Sequence, residues 1–202
     1  MKVLNFYLLR HGKTLGQSAL NGRTDVGVDL AVQHRIRDRM VEKELPIIHI
    51  VSSPLQRCAQ VATLLHERLD NVLLNLDAAF QEMDFGDYDG VAFEKLDDKW
   101  QELEAFWYDP ADRPLPNGES LAEFHQRVTQ AWDKLVDTAH GDTLLICHGG
   151  TIRIILAHIL NLDWKNPAWY SQLNIANQSL SHVQISVTDS RFASVKTIGE
   201  VL

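Results

Sequence analysis

The sequence predicts an α/β protein: a three-layer αβα sandwich with a mostly parallel central sheet and a small helical insertion over the carboxyl ends of the strands. Apolar runs of strand length alternate with longer helical patterns, the order expected of strands joined by crossover helices. The early runs are continuously apolar, as strands covered on both faces should be. The 202 residues are enough to bury a sizeable core. They read as one domain, residues 1–202, with an insertion at 88–118 inside it.

The strand-like runs lie at 3–9, 46–51, 72–76 and 143–147. Helical patterns occupy 29–43, 55–69, 93–107, 121–139 and 151–160. The clearest is 121–139. Ser120 and Glu123 form a capping box at its start. Leu121, Phe124, Val128, Ala131, Trp132 and Leu135 then share one stripe. The 151–160 helix is apolar nearly all round, which calls for deep burial. Three prolines and a glycine within 108–118 mark a loop. The region 88–118 is expected to cover the site, with Trp100, Trp107 and Tyr108 as candidates to line it. In the tail, 181–187 and 192–198 alternate apolar and polar residues around Asp189 and Ser190. That pattern predicts a closing hairpin and a mixed sheet.

The net charge of −8 argues against a nucleic-acid partner, which would need a broad basic face. It leaves room for a small cationic pocket. The first apolar run contains Asn5, is too short for a membrane span and lacks a cleavage pattern, so no membrane partner is expected. Cys58 and Cys147 both sit in apolar stretches and read as core residues of a reducing compartment, with the cytoplasm as default. Oligomeric state is not legible.

The segments after the strands carry the chemistry. The first run ends in Arg10, His11 and Gly12. The second passes through Ser52, Ser53 and Pro54 to Arg57. The fourth ends in His148, Gly149 and Gly150. In an open α/β sheet, ligands bind beyond the carboxyl ends of the strands. If these strands are parallel neighbours, two arginines and two histidines meet there, and they need an anion to hold. Arginine offers a planar fork that matches phosphate. The glycines let backbone N–H groups approach, and the helix opening near Gly149 points its positive end at the site. Histidine can attack phosphorus directly and later release the group to water. A leaving alkoxide also needs a proton. A carboxylic acid raised in pKa by partial burial would supply it, with Glu82, Asp84 and Asp87 as candidates. His34, His49, His66, His125, His140, His158 and His182 read as structural or exposed.

These segments resemble the histidine phosphatase superfamily, the phosphoglycerate mutase-like proteins. Arg10, His11, Gly12, Lys13 and Thr14 look like its R-H-G-[ED]-T signature. Ser52 through Gln60, Gln81 through Gly86, and Cys147 through Arg153 look like its next three blocks, in the family's order. The resemblance implies His11 as phosphoryl acceptor, Arg10, Arg57 and His148 around the phosphate, and Glu82 as proton donor. It also implies no metal and no cofactor, in keeping with the lack of a compact ligand spacing. A cationic His148 would make activity decline above neutrality.

Within the superfamily the chain looks most like the α-ribazole phosphatases, which remove the 5′-phosphate of α-ribazole 5′-phosphate in cobalamin nucleotide-loop assembly. The supporting residues are Glu82 through Tyr88, Pro116 through Ser120, Phe124, Arg127 and Val128. The implied partner is a small phosphorylated metabolite. The competing readings are a phosphoglycerate mutase, a broad small-molecule phosphatase, and a non-catalytic binder of phosphorylated ligands. Gln17, Gly22, Arg23 and Gly149 complete the expected binding set. Departures gather after His11: Lys13 replaces an acid, Gln17 an asparagine and Val32 a glycine.

Overall fold

A computed structural model describes residues 2–188 and 191–202. Six strands form one sheet: β1 (Lys2–Arg10), β2 (Ile47–Ser52), β3 (Leu73–Leu76), β4 (Asp142–Cys147), β5 (Ser179–Val187) and β6 (Arg191–Val201). Their order is β3-β2-β4-β1-β5-β6. The first four neighbours are parallel, while β5 and β6 run antiparallel. The helices are α1 (Leu30–Glu42), α2 (Gln56–His66), α3 (Trp100–Tyr108), α4 (Leu121–Thr138), α5 (Gly149–Ile159) and α6 (Ala168–Ser171). The expected mixed α/β class, mostly parallel and flanked by helices, is what the chain adopts.

Successive residues of a strand point to opposite faces, and here both faces are covered. Phe6, Leu8 and Leu145 join one core cluster with Phe124, Val128, Trp132 and Ile155 of α4 and α5. Tyr7, Leu9, Leu144 and Ile146 join the other, with Ile36, Met40, Val61 and Leu65 of α1 and α2. These are the three layers. α4 opens on the expected capping box between Ser120 and Glu123. Asp29 caps α1, its carboxylate accepting from the amides of Ala31 and Val32.

Three local expectations change. The run at 72–76 is not covered on both faces: β3 is an edge strand of four residues, and Leu73 and Leu76 are 68% and 55% exposed. The helix expected over 93–107 becomes two 3₁₀ turns, Phe93–Lys95 and Asp97–Lys99, before α3 begins. Leu96 leaves helical geometry at φ −111°, ψ 19°, which buries it in the core that also takes Leu103 and Phe106. Asp97 and Asp98 favour such a break, because their side chains compete for backbone amides. The helix expected over 151–160 starts two residues earlier, at Gly149, and is buried along most of its length. β5 and β6 pair as a hairpin from Val187 and Arg191 outward. Its turn residues, Asp189 and Ser190, lie outside the described residues.

The carboxyl ends of β1, β4 and β2 are level: Arg10 pairs with Cys147, and Ser52 with Ile146. The 88–118 segment supplies Phe106, Trp107 and Pro110 to the wall of a cavity beyond those ends. Among the described residues, no helix is long and apolar enough to cross a membrane, and no group of three or more His, Cys, Asp or Glu side chains is placed to hold a metal.

Candidate active site

His11 leaves the end of β1 and is held from both sides. Its N–H donates to the Cys147 carbonyl at 3.2 Å, and its carbonyl accepts from Asn177 Nδ2 and the Gln178 amide, each at 3.2 Å. The ring Nδ1 lies 2.7 Å from the Gly12 carbonyl oxygen. A carbonyl can only accept, so Nδ1 carries the proton and Nε2 keeps its lone pair. Burial, with Arg57 and Arg10 adding to it, pushes this imidazole down to about 3 against the pull of the Gly12 bond. His11 is therefore a neutral imidazole with a fixed tautomer at physiological pH. Val32, where the family pattern has glycine, packs against Gly12: a Cβ there would meet the Val32 Cγ1 at 2.9 Å. Lys13 is exposed.

Arg57 emerges from the first turn of α2 and is fully buried. Its Nη1 donates to the Thr24 carbonyl at 2.8 Å, and its Nη2 to the carbonyls of Asn21 and Gly22 at 3.0 and 2.6 Å. Its Nε donates to His148 Nδ1 at 3.2 Å. A guanidinium has no lone pair to offer, so His148 Nδ1 must be unprotonated. His148 Nε2 then carries the proton and donates to Ser53 Oγ at 2.8 Å. Burial holds His148 well below the ordinary imidazole range, reinforced by His11, Arg57 and Arg10. This reverses the expectation of a cationic His148: a second proton on Nδ1 would face the Arg57 Nε–H.

Arg10 ends β1. Its Nη1 donates to the Ile175 carbonyl, while its Nε is buried with no hydrogen-bond partner among the described residues. Gly149 lies against this guanidinium, where a Cβ would come within 3.2 Å of Cζ and Nε. A buried guanidinium nitrogen with nothing to donate to is costly, and an anion in the crevice would satisfy it.

Glu82 faces the same crevice. Its Oε2 accepts from the Gly150 amide in the first turn of α5 at 2.9 Å, and its Oε1 from the Met83 amide at 3.2 Å. The other two acids point elsewhere. Asp84 caps the Gly86 amide at 2.8 Å, and Asp87 is exposed with both oxygens 3.0 Å from Asn117 Nδ2. Glu82 is thus the carboxylate that lines the cavity. That cavity, of about 180 Å³, is otherwise walled mainly by Leu20, Met83, Phe85, Phe106, Trp107 and Phe124. Trp107 lines it as expected. Trp100 stacks edge-on with Trp107 outside it, and Tyr108 is largely exposed.

The remaining expected residues divide. Gly22 contributes its carbonyl to Arg57. Arg23 sits one layer out, bonded to Gln81 Oε1 and 3.9 Å from Glu119. Gln17 does not join the crevice: it is exposed and donates to Glu94 at 3.2 Å, because the 13–19 loop turns outward before returning at Asn21. Four residues contribute in ways the sequence did not assign. Ser53 accepts the His148 Nε2 proton. Asn177 holds His11. Arg127 braces the Glu82 segment through the carbonyls of Ala79 and Gln81, and it pairs with Glu119. Arg153 lines the cavity and donates twice to the Leu173 carbonyl. Arg127 and Arg153 stand inside family-like segments, but a charged residue on a helix carries no signal of its own.

A mostly parallel αβα sheet whose strand ends gather two arginines and two histidines defines a phosphate-handling α/β enzyme. The sequence model of the histidine phosphatase superfamily (branch 1) matches residues 6–197, and the chain belongs to that superfamily. It is 30% identical over 195 residues to the Escherichia coli protein GpmB, named for phosphoglycerate mutase activity, covering 90% of this chain and 85% of that one. The fold matches mycobacterial glucosyl-3-phosphoglycerate phosphatase with a TM-score of 0.84 at 21% identity, over 98% of this chain and 100% of the other. It matches the α-ribazole phosphatase of Shigella flexneri with a TM-score of 0.81 at 18% identity, over 98% of each chain.

Proposed function

We propose that this protein is a phosphomonoesterase that passes the phosphoryl group through His11, with α-ribazole 5′-phosphate as its substrate. One observation carries the chemistry: His11 is a neutral imidazole whose Nδ1 proton is bound to Gly12, so that its Nε2 lone pair stands free beside Arg10, Arg57 and His148. In the first step Nε2 forms a bond to phosphorus while the bond to the ester oxygen breaks, and Glu82 gives its proton to the departing alkoxide. In the second, water attacks the phosphohistidine and yields its proton to the Glu82 carboxylate. The phosphorus–nitrogen bond breaks and its electron pair returns to Nε2. Arg10 and Arg57 offset the charge on the transferring group, the main requirement of a phosphoryl transition state.

The apolar, aromatic wall beside Glu82 supports the substrate reading. An alcohol leaving from Glu82 would rest on Phe85, Phe106, Trp107 and Phe124, surfaces suited to the flat, apolar base of a ribazole, with Arg153 the one cation in that wall among the described residues. The likeness to GpmB favours a second reading, phosphoglycerate mutase. A panel of α-ribazole 5′-phosphate, 3-phosphoglycerate and fructose 2,6-bisphosphate separates them. The first should be preferred by a hundredfold or more in kcat/KM, about 2.7 kcal/mol of transition-state binding. Mutase turnover of 3-phosphoglycerate exceeding hydrolysis of the ribazole ester would overturn the assignment.

A further inference from the structure

Arg57 is the most deeply buried cation in the pocket, yet among the described residues no carboxylate pairs with it. Its fork is held by three backbone carbonyls, those of Asn21, Gly22 and Thr24. A loop of four residues keeps three carbonyls converged on one point only if something fixes its other side. The amides of that same loop turn to one side chain. Asp89 Oδ1 accepts from Gly22 N at 3.2 Å and Thr24 N at 2.9 Å, and Oδ2 accepts from Arg23 N at 2.7 Å. Oδ2 also accepts from Phe85 N at 3.1 Å, tying the loop to the segment that carries Glu82. Asp89 therefore faces the loop's donors while Arg57 faces its acceptors. The chain at Asp89 is itself anchored, since the Gly90 amide donates to the Leu20 carbonyl at 2.7 Å.

We infer that Asp89 is a positioning residue for the phosphate-binding arginine: its carboxylate gathers the 22–24 amides so that the loop's carbonyls aim the Arg57 guanidinium into the crevice. The peptide groups of Gly22 and Arg23 transmit the restraint. A carboxylate on the amide side polarises the peptides and strengthens their carbonyls as acceptors, so the pull on Arg57 increases without a charge being placed beside the substrate. A carboxylate paired directly with Arg57 would instead cancel the charge a phosphate needs. The inference rests on the phosphatase reading, and it adds to that reading the residue that sets where Arg57 points.

The test is a double-mutant cycle between Asp89→Asn and Arg57→Ala. It is read by para-nitrophenyl phosphate turnover, by inhibition with inorganic phosphate and by thermal unfolding. Asp89→Asn keeps the size and one acceptor oxygen but loses the charge. Alone it should weaken phosphate inhibition and lower kcat/KM by about tenfold, as expected when bonds to an ionised acceptor are lost. In the Arg57→Ala background the same change should alter kcat/KM by less than about twofold, because residues that act through one another are not additive. Thermal unfolding checks that each variant is folded under the assay conditions. Asp89→Glu, which keeps two anionic oxygens, should retain more activity than Asp89→Asn. Equal losses in both backgrounds would overturn the inference by making Asp89 a general support of the fold. Failure of Asp89→Asn to fold, with Arg57→Ala folded, would overturn it too. A wild-type protein that neither turns over the ester nor is inhibited by phosphate would instead refute the phosphatase reading.

Discussion

His11 and His148 face each other with ring centroids 5.1 Å apart, both buried and both neutral, yet they carry their protons on opposite nitrogens. His11 donates from Nδ1 to a backbone carbonyl and leaves Nε2 free. His148 accepts at Nδ1 from Arg57 and donates from Nε2 to Ser53. One ring has an uncommitted lone pair; the other has both nitrogens engaged by protein. Residue type and burial are the same for the two, so the partner's chemistry decides which ring presents a lone pair to the crevice. A carbonyl fixes one tautomer, and an arginine Nε–H fixes the other.

The sharpest way to break this comparison is to remove each ring in turn. His11→Ala should lower kcat by about 10⁴-fold or more and abolish an acid-labile, base-stable phosphoryl label after rapid quench. His148→Ala should cost about 10²-fold, the scale of one preorganised polar group, and still acquire the label. A label that survives in His11→Ala would place the acceptor elsewhere.

A second test uses what the rings share. The pocket keeps both neutral, with His11 at about 3 and His148 well below the ordinary value, whereas the unfolded chain protonates them below about pH 6.5. The unfolded state then binds more protons, so stability rises with pH between about 3 and 6.5 and is lost on acidification. His11 should account for about 2 kcal/mol of the stability lost between pH 7 and pH 5, and His148 should add a loss of the same sign. Denaturant titrations of wild type, His11→Asn and His148→Asn at both values measure this, and a wild-type stability unchanged between them would contradict neutral burial.

The smallest expected effect sharpens the comparison most. Ser53→Ala removes the acceptor for the His148 Nε2 proton and should lower kcat/KM by about five- to tenfold, about 1 kcal/mol, leaving the phosphoryl label intact. The same substitution should leave the His11 tautomer untouched. Loss of the label in Ser53→Ala would mean that the two rings are not independently held.

Much of this arrangement is legible in the sequence. The ends of β1 and β4 announce themselves because a continuous apolar run stops abruptly at an arginine, a histidine and glycines. The identity of the acid is not legible from the residues alone. Glu82, Asp84 and Asp87 share one short polar segment, and the choice among them is made by the Gly150 amide, 68 residues away. The segment at 93–107 looks helical because its apolar spacing persists through Leu96, yet burying that leucine requires the chain to leave the helix. Gln17 belongs in the pocket by its position after the signature, but a loop's direction depends on what it meets, here Glu94 in the 3₁₀ turn Phe93–Lys95. Asp89 gives no signal at all, since an aspartate before a glycine reads as a turn.

The bonds from Asn177 and Gln178 to the His11 carbonyl span more than 160 residues. They come from the two residues just before β5, which then runs antiparallel along nearly all of β1. During synthesis β1 emerges long before the strand that braces its histidine. Contacts of such sequence separation form late and slowly. A nascent chain can therefore hold Arg10, His11, Arg57, Glu82 and His148 outside the ribosome and still lack the bonds that fix His11. Hydrolytic capacity would arrive only once β5 has docked on β1, which makes turnover a stringent reporter of that long-range pairing.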